Sequence, residues 1–168
     1  MNTPCKIDIL YNTTSQQNFD AQIKEAIAST LKLLNFTTPC AVSVAIVDEP
    51  EIHNLNLNFR NINAPTDVLS FPSGELITTP AGTPAGTPDD DNSSDNDTPI
   101  TLGDIIICLP IAQKQADSLA HSTSQEVQFL TIHSMLHLFG YNHIRHNDEE
   151  AMTKLQREII ASLHSNER

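Results

Sequence analysis

Three histidines in the last third of the chain have the types and spacing to do chemistry: His133, His137 and His143, within Thr131-Ile-His-Ser-Met-Leu-His-Leu-Phe-Gly-Tyr-Asn-His143. On a helix, a spacing of four stacks His133 and His137 on one face with Cβ atoms roughly 6 Å apart. Gly140 follows one turn later, where a left-handed residue ends a helix and turns the chain. His143 lies three residues beyond it, so the returning loop can carry a third imidazole to the same point. Three nitrogen ligands leave a tetrahedral Zn²⁺ with one position open to water, which separates catalytic from structural zinc.

The plain alternative is a pair of polar residues satisfied at a core edge. The glycine and the third histidine tip the balance to a metal site. Phe129, Leu130, Ile132, Met135, Leu136, Leu138 and Phe139 make the segment apolar on nearly every side, so the helix should be buried. Imidazoles placed there need partners. Ser134 stands where the His-Glu-x-x-His metalloproteases carry their general base, and a serine cannot take that proton near neutral pH. A zinc peptidase of that design is therefore disfavoured.

The elements that must position these residues follow from periodicity. Lys6 to Tyr11 alternates as a first strand, and Phe19, Ile23, Ile27, Leu31 and Leu34 repeat as an amphipathic helix. Ala41 to Val47 reads as a central strand. Asp48-Glu49-Pro50 opens a helix through Ile52, Leu55 and Phe59. Val68 to Phe71 is a short strand between prolines, and Leu102 to Leu109 another that is apolar on both faces after Asp104. Pro110 opens a helix through Ile111, Ala112, Ala116 and Leu119. Thr123-Ser-Gln-Glu126 fits a capping box for the histidine helix, which makes Glu126 a cap rather than a ligand, since it lies ~10 Å along the axis from His133. Asn147-Asp-Glu-Glu150 begins a last helix with the apolar stripe Met152, Leu155, Ile159 and Leu163. Without a repeating βαβ unit the fold class is α+β: a single domain over 1–168, a roughly four-stranded mixed sheet packed with helices.

At about 78–99 the pattern breaks into a Thr-Pro-Ala-Gly repeat and an acidic run, read as a disordered insertion; a calcium loop is disfavoured because its glycine and terminal glutamate are missing. The chain has 168 residues, 39% of them hydrophobic, one domain's worth of core. No apolar run approaches a membrane span and the N-terminus has no secretory pattern, so a cytoplasmic protein is expected. Cys5, Cys40 and Cys108 read as small buried thiols in a reducing compartment. The net charge is −12, and about −7 remains without the five aspartates of the acidic run. Long-range attraction to nucleic acid should be weak. Any RNA contact must depend on a local cluster, on the metal, or on an assembly that holds the RNA.

A second polar constellation runs from Leu55 through Arg60 to Pro65-Thr-Asp67-Val-Leu-Ser70-Phe-Pro72. Arg60 is its only basic residue, and its guanidinium can fork onto a phosphate, although a surface ion pair is the simpler role. Asp67 and Ser70 are expected to hold the loop through side-chain to backbone hydrogen bonds. The Arg60 segment, Leu102-Gly-Asp-Ile and the motif His133-x-x-x-His137-x-x-Gly-Tyr-x-His143 together resemble the YbeY family of metal-dependent endoribonucleases, in that family's order. The resemblance implies a zincin-like metal site and a single-strand-specific endoribonuclease acting on ribosomal RNA. Its role would be 3′-end maturation of the small-subunit RNA and ribosome quality control. It implies that His133, His137 and His143 bind one Zn²⁺, or another divalent transition metal, and that Arg60 is needed for activity. The implied partners are single-stranded RNA and the ribosome or its small-subunit proteins, with no membrane and no DNA.

Ser134 and Asn142 depart from the family's usual glycine and aspartate. The Asn142 amide oxygen is expected to orient the neighbouring ring, though it is a poor base. Two rivals remain: the peptidase, and a non-catalytic metal-stapled assembly factor in which His146 or Asp148 closes the fourth position.

Overall fold

A computed structural model describes residues 5–74, 77–78, 84–85 and 98–165. Alternation and helical periodicity place the elements close to expectation. In order they are β1 (Cys5–Asn12), α1 (Asp20–Leu33), β2 (Cys40–Val47), α2 (Glu49–Arg60), β3 (Val68–Pro72), β4 (Ile77–Thr78), β5 (Pro84–Ala85), β6 (Ile100–Cys108), α3 (Leu109–Ser118), α4 (Thr123–Leu138) and α5 (His146–Ser165). Four strands form one mixed sheet in the order β1-β2-β6-β3. β1, β2 and β6 are parallel, and β3 returns antiparallel against β6, from Val68 opposite Ile107 to Pro72 opposite Gly103.

Parallel strands buried on both faces should be rich in branched apolar residues. β2 and β6 carry them on one face, with Val42, Val44, Ile46, Ile105 and Ile107 almost fully buried, while Ser43 and Asp104 on the other are exposed. On one face they pack against Ile23, Ile27 and Leu31 of α1 and Val127, Leu130, Met135 and Leu138 of α4. On the other, α2 sets Ile52 against Leu69, Val47 and Cys108. A helical seam of Ala26, Ile132, Leu136, Met152 and Ile159 joins α1, α4 and α5. α4 therefore lies between the sheet and α5, and its predicted burial on nearly every side follows.

One glycine fixes how closely β3 can approach. Gly103 has φ +142°, and a Cβ there would collide with the Phe71 carbonyl oxygen and crowd Leu138. A register shift between Ala41 and Val42 sits beside it.

The insertion read at 78–99 falls mostly outside the described residues, as do all five of its aspartates. Within it Thr78 pairs antiparallel with Pro84, at the start of a two-residue ladder of β4 and β5. All three cysteines are free thiols, Cys40 and Cys108 buried and Cys5 half-buried. Among the described residues no helix is long and apolar enough to cross a membrane.

Candidate metal centre

The C-terminal end of α4 builds the centre. The helix stops as expected at Gly140, whose φ is +92°. Gly140 N–H donates to the His137 carbonyl at 2.9 Å and Tyr141 N–H to the Leu136 carbonyl at 3.0 Å. These two bonds are the Schellman pattern, and Tyr141 packs back on the seam that holds Leu136. The chain thereby reverses and brings His143 to the helix. One ligand atom from each of His133, His137 and His143 lies within 4.8 Å of the others, and this is the only such group of three among the described residues. The ring centroids are 4.6, 5.1 and 5.2 Å apart. His133 and His137 are half-buried while His143 is exposed, so one side of the cluster faces solvent.

The hydrogen bonds show which nitrogens point inward. His137 Nδ1 is 2.8 Å from the Tyr141 carbonyl oxygen. A carbonyl can only accept, so Nδ1 carries the hydrogen and Nε2 of the neutral ring carries a lone pair. That Nε2 sits 3.0 Å from His133 Nε2. Burial, with the nearby His137 and His143, pulls the His133 pKa down to about 4. Burial also lowers His137, against the Tyr141 bond that raises it, and the charges of His143 and Arg60 push the same way as burial. Both rings are thus neutral near pH 7. Two such imidazoles with their Nε2 atoms 3.0 Å apart, a third ring nitrogen within 4.8 Å and no carboxylate among them fit a divalent transition ion well.

Arg60 ends α2 as an exposed residue, close enough for its charge to act on His137. The left-handed Asn61 (φ +58°) closes that helix, its N–H donating to the Leu57 carbonyl at 3.1 Å. Asn56 Nδ2 donates to the Ala64 carbonyl at 2.7 Å, which holds the following loop. Asp67 anchors the next turn as expected, Oδ1 accepting Val68 N–H at 2.8 Å, and its charge acts on His133. Ser70 makes no such side-chain bond among the described residues.

Three expectations are corrected. The capping box is Ser122 with Gln125, one residue earlier than read: Gln125 N–H donates to Ser122 Oγ at 3.1 Å, and Ser122 N–H to Gln125 Oε1 at 2.9 Å. Ser122, Thr123 and Ser124 are all capable hydroxyls, and the extended backbone of Ser122 (ψ 155°) decides between them. Glu126 is accordingly not the cap; it is 2% exposed and lies 2.6 Å from His121 Nε2. Asn142 does not turn its oxygen to a histidine, because Oδ1 accepts Ile144 N–H at 3.0 Å. Two contacts to the triad lie beyond what the sequence pattern shows, the Tyr141 carbonyl and Gln156, whose Nε2 is 2.7 Å from His133 Nδ1. The signal for Gln156 was a polar residue interrupting the buried face of α5 between Met152 and Ile159.

An α+β domain whose buried helix offers two histidines one turn apart, joined by a third from the loop beyond, defines the zincin-like class of metal site. The family model described as Endoribonuclease YbeY matches residues 7–164. The chain belongs to the YbeY family. It is 40% identical to an Endoribonuclease YbeY of Lachnospira eligens over 126 residues, 73% of this chain and 75% of that one. With the Endoribonuclease YbeY of Caldicellulosiruptor bescii it shares 35% identity over 158 residues, covering 94% and 91%. The solution structure of TM1509 from Thermotoga maritima superposes with a TM-score of 0.55 at 26% identity, over 95% of this chain and 93% of that one.

Proposed function

We propose that this protein, one domain over 1–168, is a metal-dependent, single-strand-specific endoribonuclease of ribosomal RNA processing. Its role is 3′-end maturation of the small-subunit RNA and ribosome quality control. One Zn²⁺ is held by His133, His137 and His143, and Arg60 binds the phosphate. The observation that carries this reading is the convergence of three imidazoles beside a solvent-facing opening, in a chain whose relatives are named endoribonucleases. A ribosomal RNA substrate places the activity in the cytoplasm, with the ribosome or its small-subunit proteins as partners.

Zn²⁺ bound there would supply Lewis acidity to water and to a phosphodiester oxygen. The chain's own residues bind and orient. The Tyr141 carbonyl fixes the His137 ring, and low proton affinity keeps His133 and His137 available as ligands at neutral pH. Arg60 offers a planar pair of donors to the scissile phosphate and offsets the charge that builds on it. With a chain this acidic, that local cation matters more than any long-range field. Ser134 takes no proton from the reaction, being fully buried.

The assembly-factor reading needs a fourth side chain to close the ion. His146 Nε2 is 3.1 Å from Glu150 and its side chain is 82% exposed. Neither it nor Asp148 joins the histidine group among the described residues. The experiment is cleavage of a single-stranded RNA by purified protein, with and without chelator, beside Arg60→Ala and His137→Ala. Arg60→Ala should lose about 10²–10³-fold in rate with normal metal content, and casein should stay intact. Intact RNA with wild-type protein carrying its metal would overturn the enzyme in favour of the scaffold, and metal loss in Arg60→Ala would overturn the role given to Arg60.

A further inference from the structure

Gln156 is 7% exposed, and it reaches His133 from α5 rather than from the segment that carries the histidines. Its helix is docked by Met152 and Ile159 against Ile132 and Leu136 of α4, so the amide arrives through a close-packed apolar seam. A long polar side chain placed there must find a partner, since desolvating an unpaired amide is costly. It finds one at 2.7 Å, His133 Nδ1. The same ring is stacked on Phe129 at 6.3 Å between centroids, and its Nε2 faces the cluster.

For His133 to present a lone pair at Nε2, its hydrogen must sit on Nδ1, and Nδ1–H needs an acceptor. An amide has an acceptor and a donor at the same end of the side chain. With Oε1 toward the ring it accepts the Nδ1 hydrogen. With Nε2 toward the ring, the orientation in this structure, it donates to a bare Nδ1 and suits the opposite tautomer. We propose that Gln156 is a positioning residue of the histidine site, its amide holding the His133 ring and, on turning Oε1 to Nδ1–H, selecting the tautomer that leaves Nε2 free for the ion. Tyr141 does for His137 with a backbone oxygen, which can only accept, what Gln156 does for His133 with a side chain that can turn over.

This rests on the metal reading above, and the test separates the two. Zn²⁺ affinity is measured by chelator competition for wild type, Gln156→Met and Gln156→Glu, and the His133 tautomer is read from ¹⁵N shifts with and without Zn²⁺. Methionine keeps the length but neither donates nor accepts well, and should weaken Zn²⁺ binding about 10–100-fold. Glutamate restores the acceptor and should recover most of that loss, which a purely packing role would not give. Zn²⁺-loaded wild type should show the hydrogen on Nδ1. Wild-type binding with Gln156→Met equally tight, or a loaded His133 protonated at Nε2, overturns the role of Gln156 alone. Wild type that binds no Zn²⁺ overturns the site and this inference together. The tautomer measurement on wild type decides the matter if Gln156→Met fails to fold.

Discussion

The two ends of α4 each gather histidine and polar neighbours, and they solve the problem of burying them in opposite ways. At the N-terminal end His121 meets the buried Glu126 carboxylate at 2.6 Å, and the Ser122–Gln125 box satisfies the first turn. That end is complete within the chain. At the C-terminal end three imidazoles face one another with no carboxylate, and two Nε2 atoms lie 3.0 Å apart. One hydrogen can bridge that pair, and a cation could take a lone pair from all three rings. The histidine beside the buried acid is thus paired within the chain, whereas the three that face one another could hold a metal ion.

Removing one histidine from each end is the sharpest way to break this contrast. His137→Ala should cost more in Zn²⁺ affinity than the roughly 10–100-fold typical of an outer-shell change, read by metal content after dialysis. His121→Ala should keep its metal but lose about 2 kcal/mol in chemical denaturation, because the Glu126 carboxylate is left buried without that partner. Equal metal loss in both variants would erase the distinction.

Acid should expose the same asymmetry, more gradually. Folding lowers the His133 pKa from 6.5 to about 4, so the unfolded chain binds more protons than the folded one between those values. The stability of the metal-free protein should be whole above pH 6.5 and fall as pH drops through about 4, with His137 acting in the same direction. Urea melts across that range check this, and Gln156 or Tyr141 contacts alone would give no such slope. The smallest effect belongs to Ser134, whose buried Oγ has no hydrogen-bond partner. Ser134→Ala should stabilise by about 1 kcal/mol in the same melts, with metal binding unchanged.

The legible parts were those where one local pattern has one solution. Alternation in Lys6–Tyr11 and Ala41–Val47, and the His-x-x-x-His spacing followed by Gly140, dictate local geometry, and the structure follows them. What was not legible depended on choosing among equivalent groups or on distant contacts. Three adjacent hydroxyls at 122–124 can each cap a helix, and backbone torsion chose the first. The Asn142 oxygen accepts the backbone N–H two residues on rather than an imidazole. Gln156 and His133 lie on different helices, and only the packing of Met152 and Ile159 shows that they meet.

The Schellman reversal at Gly140 gathers all three imidazoles within residues 133–143, a single stretch of chain. Bridging such near neighbours removes little freedom from the unfolded polypeptide. A Zn²⁺ held there should therefore add little to the fold, unlike in small zinc-stapled modules that collapse when stripped, and chelation should leave the far-ultraviolet circular dichroism unchanged.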